Sequence, residues 1–241
     1  MPPAPIAGKT FRTEKTTMHK EPFELIIFDC DGVLVDSELL ASDVLSEELA
    51  KYDIDITPRE CGERFTGSSL KRVKELVFQS TGISLPDNFE ADIRERDSHV
   101  FEDRLRPISG IEEALELLDL PVCVASSGSM AKITHSLTLT GLLDSFKPHL
   151  FSAEMVKRGK PAPDLFLLAA EKMGVPPKRC LVIEDSPVGV RAAQKAGMTV
   201  YGFAGGAHAG PGYGEMLELA GAKIVFREMF ALNNLIKFHK Q

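Results

Sequence analysis

Four short segments of this chain carry the side chains whose types and spacing could do chemistry. Asp29-Cys30-Asp31-Gly32 sets two carboxyls two residues apart, and Glu184-Asp185-Ser186-Pro187 sets two side by side. Ser126-Ser127-Gly128 offers two hydroxyls and a run of backbone amides. Gly159-Lys160-Pro161-Ala162-Pro163-Asp164 carries an ammonium in a proline-rich loop. Brought together, four carboxylates repel one another unless a cation is present. A hard, oxygen-seeking ion such as Mg²⁺ answers that repulsion. With Lys160 it would make a seat for a phosphate dianion, to whose oxygens Ser126 and the amides after it can donate. An ionised carboxylate beside such a seat can attack phosphorus. A second carboxyl two residues on can protonate the leaving oxygen and later activate water. Taken singly, each segment has a plainer reading: a solvated loop, a turn, a proline-led helix entry, an N-cap. Their falling in order at one edge of one sheet is what the plainer readings do not explain.

The elements that would position these groups are legible as apolar runs. Residues 25–28, 121–125, 180–183, 199–203 and 223–226 each read as a buried strand. Helical patterns lie between them at 111–120, 164–173 and 187–196, the last followed by Gly197 as a stop. This alternation predicts an α/β fold: a doubly wound, Rossmann-like parallel sheet whose functional groups sit beyond the strands' carboxyl ends. One stretch breaks the alternation. Between 38 and 106 there is no strand run; 39–51, 70–79 and 89–101 read as helices, and 62–69 and 81–88 as loops. The predicted organisation is a tail at 1–20, an α/β core from 21–37 and 107–241, and an inserted α-helical cap at 38–106. The tail, with three prolines and four cations, reads as disordered and lacks the apolar stretch of a secretory signal.

Composition narrows the function classes. A net charge of −7 argues against non-specific nucleic-acid binding, which needs a basic footprint. No apolar run approaches the roughly 20 residues of a membrane span. The four cysteines form no CxxC pair, so a reducing, cytoplasmic setting is expected. Cys30, between the two carboxyls, should point away from them into the core. His99, His135, His149 and His208 show no ligand-like spacing and read as surface or loop residues.

The four segments resemble the four motifs of the haloacid dehalogenase superfamily, in its sugar-phosphatase and β-phosphoglucomutase branch with a helical C1-type cap. The similarity runs from Phe28-Asp29-Cys30-Asp31-Gly32-Val33-Leu34-Val35-Asp36-Ser37-Glu38, through Val124-Ala125-Ser126-Ser127 and Lys160-Pro161-Ala162-Pro163-Asp164, to Ile183-Glu184-Asp185-Ser186-Pro187-Val188-Gly189. The resemblance implies that Asp29 is the nucleophile, forming an aspartyl-phosphate, and also a Mg²⁺ ligand. It implies that Asp31 is the general acid/base with its backbone carbonyl on the metal, that Ser126, Ser127 and Lys160 hold the phosphoryl group, and that Asp185 binds the metal with Glu184 as a direct or water-mediated partner. The cap would select the substrate, with Arg64, Thr66 and Gly67 as its candidate contacts. In the resemblance, the dehalogenases, phosphonate hydrolases and cation-pumping ATPases of the superfamily carry no aspartate at the position of Asp31, so dehalogenation is discounted.

The implied activity is a Mg²⁺-dependent phosphatase acting on a small sugar, sugar-acid or polyol phosphate, working as a monomer or weak homodimer. A phosphosugar mutase is the alternative. β-Phosphoglucomutases place Lys-Gly-Val-Ser-Arg where this chain has Thr66-Gly67-Ser68-Ser69-Leu70, and both cations are missing, although Arg64, Lys71, Arg72 and Lys74 lie nearby. A receiver-like phosphorylation switch is the third reading, opposed by Asp31, which would hydrolyse the phospho-aspartate.

Overall fold

A computed structural model describes residues 23–239; the tail expected at 1–20 lies outside them. Six strands form one parallel sheet: β1 (Leu25–Phe28), β2 (Val122–Ser126), β3 (Leu150–Ser152), β4 (Cys180–Glu184), β5 (Thr199–Phe203) and β6 (Ile224–Phe226), in the order β3-β2-β1-β4-β5-β6. The helices are α1 (Glu38–Ala50), α2 (Pro58–Phe65), α3 (Leu70–Thr81), α4 (Phe89–Arg104), α5 (Ile111–Glu116), α6 (Met130–Leu139), α7 (Leu143–Phe146), α8 (Asp164–Met173), α9 (Pro187–Lys195), α10 (Tyr213–Ala220) and α11 (Leu232–His239).

The apolar runs are continuous because both faces of the sheet are covered. Ile26 and Phe28 of β1 pack into a cluster with Ile111, Ile133, Phe146 and Leu232, under α5, α6, α7 and α11. Leu25 and Ile27 pack the other way, against Phe166, Ala169, Val190 and Leu217 of α8, α9 and α10. That two-residue alternation is the pleat of the strand. Truncating a fully buried ring such as Phe28 or Phe166 would cost about 3–5 kcal/mol. The strand order reverses between β1 and β4, which opens a crevice at their carboxyl ends.

Helices α1 to α4 share an apolar cluster of their own, including Leu49, Phe65, Val77, Phe89 and Ile93. The stretch expected as loop at 62–69 is helical as far as Phe65. Thr57 caps α2 by accepting from the Glu60 amide, and Glu60 in turn accepts from the Thr57 amide, with Pro58 at the first helical position. That Thr-x-x-Glu signal was present in the sequence. Three further elements carried weaker signals. β3 is three residues long, too short to show a period. α6 and α10 follow the Ser-Ser-Gly and glycine-rich loops, and those loops masked their starts. The helix expected over 111–120 ends at Glu116.

Candidate active site

The register of the sheet brings the motifs together. Phe28 lies opposite both Val124 and Ile183, and the Asp29 amide donates to the Ile183 carbonyl at 3.0 Å. Asp29 therefore leaves β1 beside the ends of β2 and β4, where Ser126 and Glu184 close their strands. Cys30 packs into the apolar cluster on the Phe28 face, away from Asp29.

Lys160 is the electrostatic centre. Its Nζ lies 3.0 Å from Asp29 Oδ1 and 2.8 Å from Glu184 Oε1, and it sits over the Phe166 ring at 4.9 Å. Burial works against its charge, but Asp29 and Glu184 outweigh burial and hold it protonated. Burial drives Asp29 well above the ordinary carboxyl value; Lys160 pulls it down, while Glu184, Asp185 and Asp31 push it up. Glu184 Oε2 accepts from both the amide and the hydroxyl of Ser186, at 2.7 and 3.0 Å. Ser186 then caps α9 by accepting from the Gly189 amide. The helix-cap reading of this motif is thus true as well as its acidic one.

Asp29, Glu184 and Asp185 can each offer a carboxylate oxygen within 4.8 Å of the others. Both oxygens of Asp185 are buried without a hydrogen-bond partner, although His208 Nε2 stands 3.0 Å from Oδ2. An orphaned buried carboxylate beside two others is the donor set a hard divalent cation takes. Burial raises the Asp185 pKa in spite of His208. Gly32, at φ +73°, passes so close that a Cβ there would run into Asp185 Oδ2.

Asp31 faces differently. Its Oδ1 accepts from Ser37 Oγ at 2.6 Å and lies 2.9 Å from Lys132 Nζ. Burial pushes its pKa up, but Lys132 and the Ser37 hydroxyl outweigh burial and lower it. The two carboxyls of the first motif are therefore driven apart, Asp29 up and Asp31 down. Ser126 is buried, and its Oγ accepts from the Gly128 amide at 3.0 Å.

A cavity of about 480 Å³ opens above these groups, between the strand ends and helices α1 to α4. Asp29, Asp31, Ser126, Ser127, Thr66 and Gly67 line it. Lys160, Glu184 and Asp185 lie buried beyond its lining. Arg64 is exposed, stacks on Phe65 and does not line the cavity. Ser127 Oγ donates to the Gly67 carbonyl at 2.9 Å, which ties the α2–α3 loop to the strand end.

Several groups at the site were given no role by the sequence. Lys132 sits on α6, a helix the apolar pattern did not mark. Glu38 lines the cavity, accepts from Thr66 Oγ1 at 3.1 Å, and is raised to about 7 by burial and then by Asp185 and Asp31. His208, expected as a surface or loop residue, is brought against Asp185 by the turn after β5. Asp97 of α4 lines the cavity, and burial raises it to about 6.

The family model for haloacid dehalogenase-like hydrolases matches residues 23–197. The chain belongs to that family. It is an enzyme, a phosphoric monoester hydrolase by family and by the phosphatases among its relatives. It is 32% identical over 189 residues to the 6-phosphogluconate phosphatase of Escherichia coli (strain K12), covering 78% of this chain and 86% of that one. It is 31% identical over 185 residues to the phosphorylated carbohydrates phosphatase of Thermotoga maritima, covering 74% and 84%. A solved haloacid dehalogenase-like protein of unknown function from Agrobacterium tumefaciens superposes with a TM-score of 0.79 at 38% identity, covering 91% of this chain and all of the other. The Agrobacterium protein shares the fold whose parallel sheet carries the site.

Proposed function

We propose that this hydrolase is a Mg²⁺-dependent phosphatase that removes phosphate from a small sugar, sugar-acid or polyol phosphate through an aspartyl-phosphate on Asp29. The observation that carries the reading is the pairing of opposed carboxyls: Asp29 against Lys160 and the acidic cluster, Asp31 against Lys132 and Ser37. Asp29 attacks phosphorus while Lys160 and Ser126 hold the phosphoryl oxygens, with Ser127 at the rim. Asp31 gives a proton to the leaving alkoxide, then takes one from water as that water attacks the phospho-aspartate. Asp29, Asp185 and the Asp31 backbone carbonyl would hold the ion, with Glu184 steering it through water because both of its oxygens already serve Lys160 and Ser186. When bound, the ion supplies charge neutralisation for the incoming dianion.

Helices α1 to α4, residues 38–106, act as the cap over the core of 21–37 and 107–241. A volume of about 480 Å³ falls in the usual range for small-ligand sites, about 300–1,000 Å³, and suits a phosphosugar. The relatives named for 6-phosphogluconate and phosphorylated carbohydrates support that class. A mutase would need cations in the cap for a second phosphate. Arg72 pairs with Glu75, Lys74 donates to the Pro86 carbonyl and Arg64 stacks on Phe65, so only Lys71 of the four nearby cations lines the cavity. Four free, buried cysteines suit a reducing compartment such as the cytoplasm.

The test is phosphate release from sugar, sugar-acid and polyol phosphates with Mg²⁺, including β-glucose 1-phosphate with a trace of its bisphosphate. Release should fall at least about a thousandfold in Asp29→Asn and vanish on chelation. Full activity in Asp29→Asn would refute the mechanism. Conversion to glucose 6-phosphate with little free phosphate would make the enzyme a mutase.

A further inference from the structure

Helix α4 presents one face to the cavity. Glu90, Ile93, Arg94 and Asp97 line it, spaced three and four residues apart as one side of a helix requires. Glu90 and Arg94 satisfy each other at 2.9 Å. Arg96 turns the other way, to Glu47 and Glu48. Asp97 is left over. It is 6% exposed, and its Oδ1 is buried with no hydrogen-bond partner. A buried carboxylate short of donors is costly, so one on a residue that lines a cavity marks a place where a ligand would supply the donor.

The surroundings select that donor. The Lys132 ammonium is close enough to act on Asp97 and is already bound to Asp31, so a cationic ligand group would meet like charge. An anionic group would meet Asp97 itself, with Asp31 beyond it. Neutral hydroxyls fit, because they donate without bringing charge.

We propose that Asp97 is a specificity-determining residue whose carboxylate accepts hydrogen bonds from the hydroxyls of a phosphorylated polyol or sugar. The proposal rests on the phosphatase reading and narrows its substrate class to esters with neutral, hydroxyl-bearing carbon chains at the α4 wall. A charge-assisted hydrogen bond is about twice as strong as a neutral one, so removing the charge weakens the hold on such a substrate specifically.

Sorbitol 6-phosphate and p-nitrophenyl phosphate separate the two claims. In Asp97→Asn, which keeps the shape of the side chain, the ratio of kcat/KM for the sorbitol ester to that for the aryl ester should fall more than about fivefold, mainly through KM. Asp97→Ala should lower the ratio further. A smaller change in the ratio for both variants overturns the proposal, because a merely structural role would depress both esters together. If the parent enzyme hydrolyses the aryl ester but not the sorbitol ester, the phosphatase reading stands and the hydroxyl-reading role falls. Release from neither ester overturns the hydroxyl-reading role and leaves the phosphatase reading to the wider panel of esters.

Discussion

Asp29 and Asp31 are two residues apart and share a loop, yet their surroundings pull them in opposite directions. Burial among carboxyls raises Asp29, while Lys132 and Ser37 lower Asp31. A divalent cation on Asp29 would pull it back down, as attack by a carboxylate requires, and a phosphate dianion beside Asp31 would raise it toward the protonated form a general acid needs. Lys132 also lies over the Phe101 ring at 5.4 Å, which fixes its ammonium where Asp31 needs it. Lys132→Ala should let Asp31 swing and lower kcat about ten- to a hundredfold, since small misplacements of a reacting group are costly. Lys132→Arg should restore most of that loss. Steady-state kinetics on the preferred ester checks both, and an unchanged kcat in Lys132→Ala would remove Lys132 from the positioning of Asp31.

Helices α1 and α4 are held together by a charged seam as well as by apolar packing. Glu48 on α1 is 1% exposed and binds Lys51 at 2.6 Å and Arg96 of α4 at 3.0 Å. Burial raises its pKa, but the bonds from Lys51 and Arg96 outweigh burial and leave it below the ordinary glutamate value. A carboxyl lowered in the fold stabilises it above the unfolded value, roughly 4.3, and that stability is lost as pH falls through the folded value. Glu48→Gln should therefore cost about 1–2 kcal/mol at neutral pH, because both cations reach solvent and are not stranded. The difference between parent and variant should shrink on going from about pH 6 to about pH 3. Thermal melts across that range measure it; a difference that grows toward acid would reverse the sign assigned to Glu48.

At the scale of the whole molecule, the α2–α3 loop seats on the strand ends, and activity is expected to follow how closely it does so. Gly67, at φ +77°, gives its carbonyl to Ser127, and a Cβ on it would run into Ser186 Oγ. Gly82 has a similar φ of +75° but nothing within 4 Å of a Cβ. An alanine at either position bears similar backbone strain, about 1–2 kcal/mol. Only Gly67→Ala should also prop the loop off the site. Its kcat/KM should fall about tenfold or more, while Gly82→Ala should stay within about twofold. Equal kinetics for the two variants would show that the loop need not seat so closely.

The sequence by itself determined the parallel sheet and the four motif segments. Strands buried on both faces must be continuous apolar runs, and groups at strand ends follow those runs directly, as Asp29 follows Phe28 and Asp185 follows β4. It also held the start of α2 in Thr57 and Glu60, a local signal between residues three apart. It could not show Lys132 against Asp31, His208 against Asp185 or Asp97 facing the cavity. The first two relations join residues 101 and 23 positions apart, and each of the three sits in a helix or loop whose own pattern is ordinary. Only the tertiary structure decided them, because the choice between a solvated charge and a tuned one is made by what packs beside it, and packing partners come from the fold rather than from neighbours in the chain.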